Sequence, residues 1–477
     1  MASALHISPY AGSWYPNRAG ELDRLLDERF EQSRRRTGPY LFSDAIGFVT
    51  PHAAPAWSGT VAAAIYRSLQ QQPPERVVLL AFPHRGGLCG VASPDVDAIA
   101  TPSGTVAIDR SFAGGFAETP EGRLCDHSFE IQLPFLQRAA PKARVNPLYV
   151  GRMDAGQRAA AADRLAEAWR PGTVFLASSD FNHYGRSFGF VPFPADGGVA
   201  EHLRELDFEC IDAAGSLDSA LFLETLRERR ATVCGSDPIA LLLEVVRRAG
   251  GGEVYQATLD YQTSGEIGGD YRDSVSYAAL GYFRRPAFDL TQDDCQALLT
   301  AAAGSLQRHR ETRRSDPVAV QGGSLALAAH RSVFVSLHRH GELLGCLGNL
   351  AGEAPLSEDV PRLALAAALD DPRFRHDGPI PAGAEVEISL LTPMRRIREA
   401  SQVRIGTHGL LLKLGGRSGL LLPQVAAERG WSALTFLRAV CRKALLSPDD
   451  WHHSQSRLYV FEAQVFSDHG GASDSPG

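Results

Sequence analysis

Paired cysteines, long apolar runs and an excess of basic residues are all missing from this sequence. Its seven cysteines (Cys89, Cys125, Cys210, Cys234, Cys295, Cys346 and Cys441) are scattered over 477 residues with no CxxC pair. An odd, dispersed set supplies no disulfide framework, zinc ribbon or iron–sulfur motif, so any functional cysteine acts singly. Nowhere do about 18 apolar residues run together, and the opening MASALHISPYAGSWYP lacks a basic stretch followed by an apolar one. A soluble, cytoplasmic protein that does not engage a membrane is expected. Lys and Arg number 48 against 55 Asp and Glu, a formal charge of −7. Without a basic stripe interleaved with aromatics, nucleic acid is not an expected partner. The run Arg34-Arg35-Arg36 reads as a solvated turn.

What is present is an ordinary globular composition, 44% hydrophobic and 22% charged, long enough for two or three cores. Apolar β-type runs alternate with helical patterns up to Phe283: AIGFVT, SGTVAAAIYRSLQ, RVVLLAF, AAAADRLAEAW, TVFLASS. That alternation predicts an α/β domain over residues 1–285, a central parallel or mixed sheet flanked by helices and closed by DSVSYAALGYF. A Pro-containing connection, RRPAFDLTQDD, leads into a helix that Thr291 or Asp293 could start. Residues 286–468 read as an α+β domain. Hairpins are expected to turn at His340-Gly341 and across Gly415 to Gly419, helices at SEDVPRLALAAALDD and ALTFLRAVCRKALL, and a final strand at LYVFEAQVF. The tail, 469–477, is expected to be disordered.

Three predicted strands end on polar side chains: AIGFVT at Pro51-His52, RVVLLAF at Pro83-His84, and TVFLASS at Asp180 and His183. The carboxyl edge of an α/β sheet is where ligand crevices form. Cys234, in ATVCGSDPIALLLE, precedes a predicted helix that Asp237 could cap with Pro238 as its first residue. A thiol beside a helix N-terminus is expected to favour its thiolate. Two imidazoles and a thiolate would make a three-ligand set with an open position, and sulfur directs the choice to iron, copper or zinc rather than magnesium or calcium. His183 would then serve as general acid or base, with Asp180 as its partner or as a hydrogen-bonding carboxylate beside the metal. Taken singly, each His also reads as a cap on backbone groups, and Cys234 as a buried small apolar residue.

Two further stretches leave alternatives open. In CDHSFEIQLPFLQRA, Asp126 or Ser128 could cap a helix with Glu130 as the capping partner, or His127 could contact a substrate. The polar segment YQTSGEIGGDYRD reads as a loop closing over the pocket, with Tyr271 and Arg272 as substrate contacts, or as a connector.

Read together, YAGSWYP, PHAAPAWSG, DHSFEIQLPFLQ, SSDFNHYG, CGSDPIALLLE and SVSYAALGYF resemble, in order, the Memo family. The resemblance implies a fold like that of the class III extradiol dioxygenases and a non-haem metal pocket. It implies His52, His84 and Cys234 as ligands of a single transition-metal ion, iron or copper, with zinc also within reach of those donors. Asp180 and His183 would flank them. The later stretches FVSL, LLGCLGNL, DPRF, VEISLLTP and LLLPQVAAERGW are similar to the AMMECR-type domain, with Leu344 standing where that family usually has Arg. Cys346 could there be a reactive residue or a packed strand cysteine. The two families resemble two members of the AmmeMemoRadiSam system, which implies a radical-SAM protein as partner. This chain has no CxxxCxxC and cannot hold that partner's cluster. Two functions follow: a redox or dioxygenase-like enzyme acting on a small, aromatic or catecholate-like substrate, or a non-catalytic metal-binding scaffold for the radical-SAM partner.

Overall fold

The structure is a computed structural model that describes residues 5–85, 87–110, 112, 116–118, 125–194, 197–373 and 380–468. The 469–477 tail lies outside the described residues. The chain divides into two compact units, residues 1–37 with 41–287 and residues 38–40 with 288–477.

In the first unit four parallel strands stand in the order Ala45–Thr50, Thr173–Ser178, Arg76–Ala81 and Arg144–Val150. Each is buried along nearly its whole length. Successive strand side chains point to opposite faces, so continuous burial means that both faces are covered, and this is why these segments read as unbroken apolar runs. Helices Gly59–Gln71 and Ser236–Ala249 pack on the sheet, the latter bringing Leu241, Leu242 and Val245 into a core with Ile46, Val78 and Phe175. The sheet is mixed: Asp273–Arg284 runs antiparallel to Ala45–Thr50 and also pairs with Val254–Thr263 and His183–Gly185. On the opposite side Val91–Ser93 lies antiparallel to Arg144–Val150 and parallel to the edge strand Ala117–Glu118. A separate small sheet joins Leu5–Ile7, Ala98–Thr101 and Gly104–Ala107.

The YQTSGEIGGDYRD segment is less of a loop than its composition suggests. Tyr261, Gln262 and Thr263 finish a strand, Thr263 caps the short helix Ser264–Gly268, and Asp273 begins the next strand. Antiparallel pairing of Thr263 with Ser276 organises these polar residues through the backbone, which leaves no trace in hydropathy.

The second unit contains two four-stranded antiparallel sheets. One runs Glu342–Asn349, Val333–Arg339, Glu385–Leu391, Ala463–Ser467, the other Arg395–Ile397, Arg457–Phe461, Gly409–Leu414, Arg417–Leu421. His340 and Gly341 turn the first hairpin at φ 51° and 81°, as a tight two-residue connection requires. The second hairpin turns at Gly415-Gly416 alone, and Arg417–Leu421 is strand. Gly419 owes its place to packing: a Cβ there would lie 2.6 Å from the Val440 carbonyl oxygen of helix Ala433–Lys443. LYVFEAQVF, expected as one strand, is two strands in different sheets. The switch falls at Glu462, whose backbone N–H and carbonyl both bond to Thr392. Among the described residues no helix is long and apolar enough to cross a membrane.

Leu242 is fully buried in the first core. Leu242→Ala is expected to cost about 2–5 kcal/mol, read as a lowered denaturant midpoint for the first unit.

Candidate metal centre

Strands Ala45–Thr50 and Arg76–Ala81 hand the chain to His52 and His84, and helix His127–Glu130 supplies a third imidazole. One ligand atom from each of His52, His84 and His127 lies within 4.8 Å of the other two. The rings are 5.1 Å (His52 to His84), 5.2 Å (His52 to His127) and 4.1 Å (His84 to His127) apart between centroids. Asp126 Oδ1 is 2.8 Å from His84 Nδ1 and 3.3 Å from His127 Nδ1. The same oxygen accepts from the Ser128 amide, so Asp126 also caps the helix that carries His127. On the third ring, Nδ1 of His52 sits 3.0 Å from Ser178 Oγ. That hydroxyl donates its one proton to the Ser128 carbonyl, so it accepts from His52, whose Nε2 then carries the lone pair. With Nδ1 hydrogen-bonded on His52 and His84, Nε2 is the nitrogen left for a ligand on those two rings, the arrangement a metal-binding histidine needs.

Cys234 Sγ lies 3.2 Å from His52 Nε2, also 3.2 Å from the Asp180 amide that donates to it, and 3.8 Å from Ser179 Oγ. The helix after it begins at Ser236 with Gly235 as cap. Asp237 does not cap that helix but stands in its first turn, next to Arg158 and the backbone of Met153. The thiolate expected from the helix N-terminus meets an opposing effect: burial, and then the Asp180 carboxylate, push the Cys234 thiol up. A cation is what would reverse that.

Asp180 Oδ1 accepts from the amides of His52 (2.8 Å) and Ala53 (3.3 Å), fixing the turn that presents His52. Burial nevertheless raises its carboxyl above the ordinary range. The His183 ring is held by carbonyls: Nδ1 lies 3.0 Å from Phe181 O and 3.2 Å from Thr232 O. Two acceptors require a proton on Nδ1, which leaves Nε2 to exchange one. Behind it, His183 N donates to Thr232 Oγ1, Thr232 N donates to Asn182 Oδ1, and the Asn182 side-chain amide donates to Asp207. Tyr261 completes the chain through a 2.7 Å bond to Asp207, whose carboxyl burial raises to about 6.

Sequence reasoning overlooked Asp126 and Ser178 as ring anchors, and the Thr232–Asn182–Asp207 relay. Asp126 had a sufficient reading as a helix cap, Ser178 and Thr232 lie 126 and 49 residues from the rings they hold, and Asn182 and Asp207 act only through Thr232. Glu130, expected as a capping partner, faces His6 instead. Tyr271 packs on the satellite core of Tyr184, Val199 and Leu203, while Arg272 is exposed and forks onto Asp270. In the second unit Cys346 is half-buried on a strand. Its amide donates to Asp371 and its carbonyl accepts from Arg373, which is itself paired with Asp371.

A mixed-sheet α/β domain with three imidazoles and a thiol gathered beyond its parallel strands defines the class of this unit. The chain belongs to the family of Memo-like proteins, whose model matches residues 8–281, and the AMMECR1 model matches residues 299–466. A MEMO1 family protein of Methanosarcina acetivorans is 34% identical over 280 residues, covering 57% of this chain and 96% of that protein. The memo-1 homolog of Caenorhabditis elegans is 27% identical, covering 58% and 82%. A protein of Methanothermobacter thermautotrophicus is 40% identical over 147 residues, 29% of this chain and 77% of its own length.

Burial holds His127 down to about 4 and His52 well below 6.5, so these rings are neutral, the form that binds a cation. Between pH 6.5 and about 4 the unfolded chain binds protons that folded His127 does not. Stability of the metal-free protein therefore falls as pH drops through that window. Denaturant midpoints at pH 7 and pH 5 are expected to show the fall, and His127→Gln is expected to reduce it.

Proposed function

We propose that the first unit binds one iron or copper ion between His52, His84 and Cys234 and acts as a redox or dioxygenase-like enzyme on a small substrate, aromatic or catecholate-like. The observation that carries this reading is the anchoring of His52 and His84 through Nδ1, with Cys234 Sγ 3.2 Å from the other ring nitrogen of His52. The neutral His52 ring beside a buried thiol and a buried carboxyl makes a donor set in want of a positive charge. When bound, such an ion supplies Lewis-acid and one-electron chemistry to the substrate. His183 takes or returns a proton at Nε2, and the carbonyls of Phe181 and Thr232 keep its ring in place. Asp180 orients the His52 backbone. His127, stacked against His84 and 4.7 Å from the Trp14 ring, forms the wall that an aromatic substrate would meet.

The compact His52, His84, His127 group favours a second reading, in which His127 takes the third ligand position in place of Cys234. Fold kinship with the extradiol dioxygenases belongs to the proposal too, as does a radical-SAM protein as partner, supported by the joining of Memo-like and AMMECR1 domains in one chain. The AMMECR1 domain would then present Cys346 and its Asp371–Arg373 pair to that partner or to substrate.

Elemental analysis of anaerobically purified protein tests the centre. About one iron or copper per chain is expected, falling at least about tenfold in His84→Ala and in Cys234→Ser. Full retention in both sinks the proposal, and loss in His127→Ala with retention in Cys234→Ser selects the second reading. For the chemistry, oxygen uptake with a panel of catechols is expected to drop about 10²–10⁴-fold in His183→Gln at unchanged metal content. Metal-loaded protein inert to the whole panel would favour a scaffold.

A further inference from the structure

A second cluster of donors lies on the other side of the Cys125-Asp126-His127 turn. His6 from the first strand, Cys125 and Glu130 each place one ligand atom within 4.8 Å of the other two. His6 Nε2 is 3.0 Å from Glu130 Oε1. That contact by itself is an ordinary ion pair, and it leaves two things unexplained. The first is Glu130 Oε2: the residue is fully buried, and this oxygen accepts no hydrogen bond of ordinary geometry among the described residues, its near neighbour being the Ser8 hydroxyl, which is engaged with Tyr15. A buried carboxylate oxygen without a donor is costly and rare. The second is the cysteine, which brings a third donor of different chemistry to the same point.

We propose that His6, Cys125 and Glu130 form a separate binding site for a divalent cation of borderline softness, with zinc as the type ion. Imidazole nitrogen, thiolate sulfur and carboxylate oxygen are the three donors such an ion takes together, and a fourth position is left for water. The ion answers the orphaned oxygen directly, since Oε2 gains a positive partner while the thiol loses its proton on binding. Glu130 is rigid on its helix, and the half-buried Cys125 and the His6 side chain, 16% exposed, leave a path from solvent. Asp126 and His127 belong to the first centre and Cys125 and Glu130 to this one, so the two share a turn but no ligand. Occupancy would tie the first strand, Leu5–Ile7, to the helix that carries His127.

The test counts ions in metal-stripped full-length protein titrated with zinc, and with cobalt(II) for its thiolate charge-transfer absorption. In a His52→Ala/His84→Ala/Cys234→Ser background one equivalent is expected to bind and to give that absorption. Added singly to that background, Cys125→Ser and His6→Arg are each expected to weaken the binding by at least about a hundredfold. Arg at position 6 keeps a cation against Glu130 while removing the imidazole ligand. Should the background fail to fold, the same variants in the otherwise unchanged chain are expected to lower zinc stoichiometry from two to one. No tight zinc in the background, or an equivalent that survives either variant, overturns the proposal. A single equivalent in the unchanged chain that Cys125→Ser removes would uphold this site and overturn the first.

Discussion

At the candidate centre the orientation of His84 and the helix that carries His127 depend on one buried carboxylate, Asp126. Burial would favour its neutral form, but the His84 hydrogen bond and the nearby His127 hold it down to about 2, so it is a charge at any ordinary pH. Its Oδ1 hydrogen-bonds His84 Nδ1, lies 3.3 Å from His127 Nδ1 and accepts a helix-capping amide, so it orients one ring and starts the helix that carries the other. Ser178 does the corresponding work for His52: with its own proton committed to the Ser128 carbonyl, it faces that ring as an acceptor. The ring orientations are thus set by groups that would not themselves touch a ligand.

That arrangement is electrostatically incomplete. Burial makes His52 a poor proton acceptor and Cys234 a poor acid, and it lifts the carboxyl of Asp180. Three groups shifted toward neutrality by the same cause, crowded around one point, would all be relieved by one cation. The turn holding Asp126 also explains how two donor clusters can stand close without merging. Along this turn and the helix after it, Asp126 and His127 face the first centre, with His127 toward His52 and His84, while Cys125 and Glu130 face His6.

Supporting layers reach far from the rings. Asp207, Asn182 and Thr232 form a chain of hydrogen bonds, buried at its Asp207 end, whose last member holds both the backbone and the ring of His183. In the second unit a shorter device of the same kind, Asp371 with Arg373, clamps the backbone of Cys346 on both sides.

Local pattern alone determined a good deal. The apolar runs ending at His52, His84 and Asp180 are legible as buried strands because burial on both faces removes alternation, and polar residues at their carboxyl ends mark the crevice. His340-Gly341 is readable as a turn because a two-residue hairpin demands positive φ. Tertiary structure alone decided that His127 joins His52 and His84, that Asp180 serves the His52 backbone while carbonyls hold the His183 ring, and that Glu130 meets His6. It also decided the break at Glu462 and the close approach of Gly419 to a helix. The reason is range: hydropathy and turn chemistry act over a few residues, whereas each of those contacts joins segments brought together only by the packed sheet and its helices.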